Sequence, residues 1–183
     1  MKYTTPELTT SRLVLKRGTD DDFKAVYEYD FRKLRDVGGE FVYVKLDPAM
    51  LDGFASAADE EDTLNWVLFL KDSMQPIGDL VADRIDPAIQ SIELAFNLHP
   101  DHWGKGYMPE AVNKAMEYLF TLGFENIVCG YDEGNHKSKR VIEKLGFKPY
   151  KTTPNAWQKN GQPITTYDYI LSKEKFEAFH AMT

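Results

Sequence analysis

The amino-acid sequence predicts a single α/β (α+β) domain, residues 1–183, in which helices flank a mixed central sheet of about seven strands. Short segments alternate apolar with polar residues, as strands do, while longer segments place apolar residues at i, i+3, i+4 and i+7, as amphipathic helices do. A glycine-rich turn separates the strand at 92–98 from the helix that follows it. We expect a mostly antiparallel sheet with one parallel, splayed pair beside this turn.

The N-terminal third of the chain predicts a strand, a helix and a stretch without regular structure. Alternation of apolar and polar side chains covers 13–17. The acidic residues 20–22 then supply an N-cap and negative charge for a helix that carries Phe23 and Val26. From 29 to 61 the pattern is irregular, and we expect short helices and loops that shape a substrate pocket.

Three strands follow in an antiparallel meander. The apolar run at 66–70, a polar turn and a strand at 76–82 predict a hairpin, which the strand at 92–98 extends. A helix then spans about 107–122, because its apolar residues recur with helical spacing. Gly123 ends this helix.

The last third of the chain predicts a strand at 125–131, a helix at 135–145 and two strands near 147–153 and 166–171. Asn135 is a favourable N-cap for the helix. Since a helix links the strand before the glycine turn to the strand at 125–131, we expect these two strands to be parallel. A ligand at the turn would then lie at the carboxyl end of a strand, where open α/β sheets bind ligands.

Charge and composition limit the partners. The net charge of -7 and the isoelectric point near 5.1 argue against nucleic acid, because cations supply most of the binding to phosphates. An acidic surface suits a cationic substrate such as an amine, and it equally serves solubility. The single cysteine, Cys129, cannot form an internal disulfide, which fits a reducing cytoplasm. We expect no membrane span and no export signal, since no apolar run approaches ~20 residues.

Gly104 and Gly106 allow the turn before the helix at 107–122 to bend tightly and to approach a ligand closely. The first N–H groups of that helix would face an anion held in the bend. The pattern departs from the dinucleotide fingerprint at Pro109 and from the P-loop at His99. By itself the turn predicts either anion binding or ordinary turn chemistry.

Two segments in register carry a resemblance to a known family. They are Trp103-Gly104-Lys105-Gly106-Tyr107 with Glu110-Ala111, and Asn135-x-x-Ser138 with Glu143-Lys144-Leu145-Gly146-Phe147. The segments Thr10-Ser11-Arg12-Leu13-Val14-Leu15 and Pro76-Ile77-Gly78 occur in the same order. Together they resemble the GNAT acyltransferases, and within them the RimJ/RimL branch of ribosomal-protein N-terminal acetyltransferases.

The resemblance implies the GNAT fold and acetyl-CoA (coenzyme A) as co-substrate, with no metal. Main-chain N–H groups of the turn would receive the pyrophosphate, namely those of Trp103, Gly104, Lys105, Gly106 and Tyr107. The pantetheine arm would pair like an added strand with main chain at Phe96, Asn97 and Leu98. Asn135 and Ser138 would contact the cofactor, and Lys105 and Arg140 are the cations that we expect nearest the phosphates.

The same resemblance implies catalytic roles for Glu93 and Ser138. Glu93 shares its strand face with the small Ala95, and a partly desolvated carboxylate there can accept a proton through water. An ion-paired strand glutamate is the alternative. Ile142 stands where many family members carry a tyrosine acid, so Ser138 is expected to protonate or orient the CoA sulfur. A serine that only caps its helix is the alternative.

We therefore expect a cytoplasmic N-acetyltransferase that acetylates a primary amine by direct attack in a ternary complex. The acceptor would be a protein N-terminus or a small-molecule amine, with no nucleic-acid or membrane partner, and a homodimer stays open. Cys129 has no partner histidine, so no covalent intermediate is expected. A catalytically silent CoA-binding module of the same fold is the alternative. A third interpretation, an unrelated phosphate-binding protein, is disfavoured by the segment 135–147.

Overall fold

The computed structural model describes residues 3–28, 52–53, 55, 62–159 and 161–181. In chain order the elements are β1 (Leu8–Thr9), β2 (Leu13–Lys16), α1 (Asp20–Tyr27), β3 (Leu64–Leu70), β4 (Pro76–Asp86), β5 (Ser91–Leu98), α2 (Tyr107–Thr121), β6 (Asn126–Asp132), α3 (His136–Lys144), β7 (Lys148–Lys159), β8 (Gln162–Ser172) and α4 (Lys173–Ala181). One turn of 3-10 helix, Pro100–His102, lies between β5 and α2. The irregular segment predicted at 29–61 lies outside the described residues, apart from 52–53 and 55.

The strands form one sheet in the order β1-β2-β3-β4-β5-β6-β8-β7. Neighbouring strands are antiparallel except β5 and β6, which are parallel. The predicted mixed and mostly antiparallel sheet is therefore confirmed. It has eight strands rather than about seven, because β1 adds a two-residue edge that pairs Leu8 with Leu15.

β3 is buried on both faces, which explains the continuous apolar run at 66–70 within it. Its residues Leu64, Trp66 and Leu68 belong to the main core, which α2 covers. Val67 and Phe69 point the other way and pack with α1 in a second, smaller cluster. A strand covered by helices on both sides carries apolar residues on both of its faces, and Asn65 is the buried polar residue of β3.

The helix boundaries follow the predicted signals, with one correction at α1. Its N-cap is Thr19, not one of the acidic residues, because Thr19 Oγ1 accepts a hydrogen bond from Asp22 N–H at 3.2 Å. The Asp22 carboxylate in turn accepts from Thr19 N–H at 2.8 Å, which completes a capping box. α2 ends one residue before the predicted Leu122, and Gly123 follows with φ +95°.

Two elements at the C-terminal end depart from the sequence-based expectation. β7 and β8 are each longer than predicted, and α4 was not predicted. Most side chains of β7 are exposed, so its sequence lacks the apolar alternation that marks a half-buried strand. None of the described helices is long and apolar enough to span a bilayer.

Candidate functional site

A gap between β5 and β6 forms the centre of the candidate site. The two strands pair only over Ser91–Glu93 and Asn126–Val128. β5 runs on to Leu98 and β6 to Asp132, so their later halves separate. The predicted splay of the parallel pair is therefore observed, at the carboxyl ends of both strands.

The main chain of β5 presents alternate residues to this gap. His99 N–H donates to Ile77 O at 2.8 Å, which fixes the phase of the hydrogen-bonded pairs in the β4–β5 ladder. Because such pairs alternate in an antiparallel ladder, the main chain of Asn97 faces β4 and that of Phe96 faces the gap. The Asn97 side chain also contacts β4, because it donates a hydrogen bond to Asp79 Oδ1 at 3.2 Å. Of these two predicted cofactor residues, Phe96 presents its main chain to the gap.

The gap continues into a cavity of about 620 Å³. Four of the predicted site residues line it: Glu93, Phe96, Asn135 and Ser138. Residues of the glycine-rich turn and Arg140 are not part of this lining. The rest of the wall comes from β4, β6, β7 and β8, and from Leu94 and Ala95 of β5. Glu93 and Ser138, which lie far apart in sequence, thus line the same cavity.

The environment of Glu93 combines burial with an ion pair. Its side chain is 26% exposed, and its Oε1 accepts from Arg84 Nη1 at 2.9 Å. Burial raises the pKa of Glu93 above its ordinary value, whereas the Arg84 charge opposes this rise. Asp168 and Asp83 raise the pKa further. Both sequence-based interpretations are therefore partly realised, because the carboxyl is desolvated and also ion-paired.

Ser138 lies in the first turn of α3. Asn135 Oδ1 accepts from Ser138 N–H at 3.1 Å, so the predicted N-cap is confirmed. The Ser138 side chain is partly buried and lines the cavity. Ile142, one turn later, is fully buried in the main core. The position at which many family members carry a tyrosine acid therefore contributes packing in this chain.

Tyr131 brings a second hydroxyl to the cavity, and the sequence-based prediction missed it. It lies near the end of β6, lines the cavity and stacks on Tyr167 with 5.2 Å between ring centroids. Burial raises the pKa of Tyr131 to about 12, and a hydrogen bond with Tyr169 adds to the rise. Its hydroxyl therefore keeps its proton at neutral pH, which brings a second protonated hydroxyl to the cavity. An aromatic residue within a strand gave no signal of this role.

The glycine-rich turn has the backbone that its sequence predicts. Gly104 and Gly106 have φ values of +74° and +78°. A Cβ at Gly104 would meet nothing within 4 Å, so conformation rather than space selects glycine there. No side chain caps the start of α2 within the described ranges. The N–H groups of the first turn of α2 therefore donate to no capping side chain, which leaves the helix start available to an anion.

Several hydrogen bonds attach this turn to the β1–β2 hairpin. Arg12 Nη1 donates to Lys105 O at 2.9 Å, and Arg12 Nε and Nη2 lie 2.7 Å and 2.6 Å from Glu110 Oε2. Glu110 Oε1 also accepts from Thr10 Oγ1 at 2.6 Å. Burial raises the pKa of Glu110, but these hydrogen bonds outweigh it and hold the pKa below its ordinary value. The Arg12 guanidinium also covers the Tyr107 ring, 4.6 Å from its centroid.

Trp103 and Lys137 connect the two motif segments. Trp103 Nε1 donates to Leu98 O at 2.8 Å, and Lys137 Nζ lies 3.9 Å from the centroid of the Trp103 ring. Burial and the charge of Arg140 lower the pKa of Lys137, which places Arg140 within electrostatic reach of this pair. Lys105 is exposed in the turn itself. Lys137 of α3 therefore reaches the start of the glycine-rich turn through the Trp103 ring.

Two further charged residues of the cavity, Arg84 and Asp168, also escaped the sequence-based prediction. Arg84 follows the predicted end of its strand, at Ala82, and Asp168 occupies an ordinary polar position in the predicted strand 166–171. Neither position carries a local signal, since their proximity to Glu93 depends on strand pairing. Within the described ranges, no group of three or more His, Cys, Asp or Glu residues is arranged to hold a metal ion.

Comparison by sequence identifies one domain family and related chains. The profile of the acetyltransferase (GNAT) domain matches residues 12–148. An uncharacterized N-acetyltransferase of Bacillus subtilis, YoaA, is 26% identical over 174 residues, which cover 93% of this chain and 98% of the relative.

Comparison by structure identifies the same fold in solved proteins. A putative ribosomal-protein-serine acetyltransferase from Vibrio cholerae has a TM-score of 0.74 at 17% identity, covering 92% of this chain and 99% of that one. The microcin C7 self-immunity acetyltransferase MccE, solved with acetyl-CoA and AMP, has a TM-score of 0.73 at 16% identity. The match covers 89% of this chain and 93% of that one. At these identities the likeness concerns the fold, and the fold predicted from the sequence is confirmed.

Proposed function

The chain belongs to the acetyltransferase (GNAT) family, and on that premise we propose that it transfers the acetyl group of acetyl-CoA to a primary amine by direct attack in a ternary complex. The predicted class, an acyltransferase whose family uses acetyl-CoA, is confirmed by the domain match and the named relatives. The observation that carries the proposal is the β5–β6 gap, which opens into one cavity lined by Glu93 and Ser138.

We assign cofactor binding to the gap and to the glycine-rich turn. The uncapped start of α2 and the left-handed glycines support pyrophosphate binding by the N–H groups of 103–107. The pantetheine arm would pair with the main chain of Phe96, since Asn97 faces β4 and Leu98 O accepts from Trp103. The position of Arg140 near Lys137 supports a role for its charge at the phosphates.

The proposed chemistry assigns proton uptake to Glu93. The amine arrives as an ammonium ion, gives one proton to Glu93 through water and attacks the thioester carbonyl carbon. The C–N bond forms, the C–S bond breaks and CoA leaves as a thiolate, which takes up a proton from the enzyme or from the adduct. The net reaction releases one proton for each amide formed. The raised pKa of Glu93 supports this role, because a base works best with a pKa nearer the working pH.

We assign protonation of the CoA sulfur to Ser138, with Tyr131 as the second candidate that the cavity offers. Replacing Ser138 by Ala and Tyr131 by Phe removes one hydroxyl at a time. Loss of a general acid should lower kcat about 10²-fold. If Tyr131→Phe shows this loss and Ser138→Ala does not, the assignment to Ser138 is wrong.

The acceptor class is proposed from the resemblance and from the charge of the cavity. A protein N-terminus, as in the RimJ/RimL branch, is supported by the segments 10–15 and 76–78 and by the name of the Vibrio cholerae neighbour. Glu93 and Asp168 make the cavity suitable for a cationic amine of either class. Action in the cytoplasm is supported by the single cysteine, Cys129, which is buried and free.

Release of CoA with a panel of amines, including peptides with free N-termini, tests the proposal. We expect release with at least one class of amine and a higher Tm in excess acetyl-CoA, since a ligand bound to the native state stabilises it. An unchanged Tm would contradict CoA binding. A higher Tm without release from any amine would instead support the silent CoA-binding module.

A further inference from the structure

The strand next to Glu93 contains a β-bulge. The β4–β5 ladder is regular up to the pair Asp83–Glu93 and resumes at Asp86–Ser91. Two residues of β4 therefore oppose one residue of β5. The first of the two, Arg84, has a left-handed backbone with φ +49°. Residues with a Cβ rarely adopt this conformation, and strained positions of this kind cluster at functional sites.

The bulge decides where the Arg84 side chain lies. In a regular strand, consecutive side chains point to opposite faces, so Arg84 would point away from the face that Asp83 and Glu93 share. Instead, Arg84 Nη1 donates to Glu93 Oε1 at 2.9 Å, and Arg84 lines the cavity with 72% of its side chain exposed. The distortion of β4 thus delivers a guanidinium to the proposed base.

We propose that Arg84 is a positioning residue for the acceptor amine, a role that rests on the proposed function of Glu93. Its guanidinium holds Oε1 of Glu93 and keeps the carboxylate charged, which leaves Oε2 to take up the proton of the amine. Among the described residues, Oε2 has no hydrogen-bond partner of its own. Arg84 touches the base rather than the reacting atoms.

Charged and titratable groups from three strands surround this carboxylate. They are Arg84 and Asp83 on β4, the buried thiol of Cys129 on β6, and Asp168 on β8. Burial and the two aspartates raise the pKa of Glu93, and Arg84 lowers it. The cluster therefore keeps an excess of negative charge that attracts an ammonium ion, while Arg84 keeps the base ionised.

The same geometry also allows the opposite role for Arg84, in which it hinders binding of the amine. If the guanidinium occupied the place that the ammonium must take, Arg84 would compete with the substrate. The bulge argues for positioning, because a strained backbone that only delivered an inhibitor would serve no step of the reaction. The two roles predict opposite changes in turnover, so one variant separates them.

The test compares Arg84→Gln with Arg84→Lys, and uses Lys151→Gln as the charge-matched control. Lys151 lines the same cavity but makes no ion pair with Glu93. On the acid side of the pH optimum, Arg84→Gln should lower kcat/KM about tenfold, since one nearby charge changes the occupancy of the base by that order. The alkaline side should change less than twofold. Arg84→Lys should restore part of the loss, and Lys151→Gln should leave the position of the acid limb unchanged.

A second readout does not depend on turnover. Carbon-13 NMR titration of the Glu93 carboxyl should move to higher pH in Arg84→Gln and stay in place in Lys151→Gln. Arg84→Gly should show the same change without a lower Tm than Arg84→Gln, because glycine accepts the left-handed backbone. That result would exclude a purely structural role for the guanidinium.

Two results would overturn the proposal: an unchanged Glu93 titration in Arg84→Gln, or faster turnover in that variant. If the unaltered protein releases no CoA with any amine, the proposed function itself fails, and with it the role of Arg84 towards an amine. The titration distinguishes this case, because it would still show Arg84 holding the charge of Glu93.

Discussion

Two arginine–glutamate pairs of this chain behave in opposite ways. Arg12 and Glu110 join the N-terminal hairpin to the start of α2, with a closest N–O distance of 2.6 Å. Arg84 and Glu93 join neighbouring strands at 2.9 Å. The pKa of Glu110 lies below its ordinary value, whereas that of Glu93 lies above it.

The difference arises from the other groups around each carboxylate. Glu110 accepts further hydrogen bonds from Thr10, Ser11 and the main chain of Arg12, all of which favour its charged form. Glu93 has one donor, Arg84, and lies near carboxylates that disfavour its charge. The first pair therefore fixes structure, and the second leaves a carboxyl that can change its protonation state.

The largest expected effect separates the two glutamates by turnover. Glu93→Gln should lower kcat by about 10²- to 10⁴-fold, because the amide cannot accept the amine's proton. The rise in Tm with acetyl-CoA should persist, since Glu93 is not assigned to cofactor binding. Glu110→Gln should lose turnover only in step with weaker acetyl-CoA binding. Near-normal kcat in Glu93→Gln would contradict the base assignment.

The second effect concerns the free energy of unfolding. Here Glu110, and not Glu93, should show the larger loss on substitution. Glu110→Gln should lower the free energy of unfolding by about 2 kcal/mol, since it weakens several hydrogen bonds to a charged group. Glu93→Gln should change it by less than about 0.5 kcal/mol, because one partly exposed ion pair contributes little. Urea denaturation of both variants gives the comparison. Equal losses would show that the two pairs do not differ in structural role.

A smaller effect tests how closely Arg12 fits the glycine-rich turn. A Cβ at Gly106 would lie 3.4 Å from Arg12 Nη2, whereas one at Gly123 would meet nothing within 4 Å. Both glycines have positive φ, so each Ala substitution should cost about 1 kcal/mol of stability. Gly106→Ala should also weaken acetyl-CoA binding, measured by calorimetry, and the control Gly123→Ala should not. Equal affinities would contradict the assigned position of the pyrophosphate.

The smallest effect is the pH dependence of stability, which has opposite signs for the two glutamates. Glu110 has a lowered pKa, so it stabilises the fold above the ordinary value of 4.5, and this contribution is lost as the pH falls through the folded-state pKa. Glu93 has a raised pKa, so its contribution is present below 4.5 and is lost as the pH rises through the folded-state pKa.

Unfolding curves across this pH range check the signs. The loss of stability in Glu110→Gln should be greatest at neutral pH and should shrink on acidification. The difference in free energy of unfolding between Glu93→Gln and the parent should shift in favour of the variant between pH 4.5 and neutral pH. Below 4.5 this shift should vanish. The same sign for both variants would contradict the contrast between the pairs.

Local patterns were sufficient wherever one segment carries its own signal. The cap at Asn135, the end of α2 before Gly123 and the left-handed Gly104 follow from residue types that have strong conformational preferences. The sequence predicted one strand too few, because the edge strand β1, Leu8–Thr9, is too short to show an alternation of apolar and polar residues. The exposed β7 likewise gave little apolar alternation to extend its prediction.

The acceptor side of the site could not be predicted in the same way. Arg84 reaches Glu93 only because β4 shifts its register between Asp83 and Asp86, and that shift is defined by the partner strand. Tyr131 enters the cavity only because β5 and β6 separate after their first residues. Neither event has a local signal in the residues that it affects.

The sequence by itself determined most of the elements, their order and the glycine-rich turn, because helix caps, turn residues and apolar periods act between near neighbours in the chain. With the resemblance of its two motif segments, it also named Glu93 and Ser138 as residues of one site. Only the tertiary structure decided which charges surround Glu93, because these depend on strand register, a bulge and burial. Those long-range features separate a carboxylate that anchors the fold from one that can take up a proton.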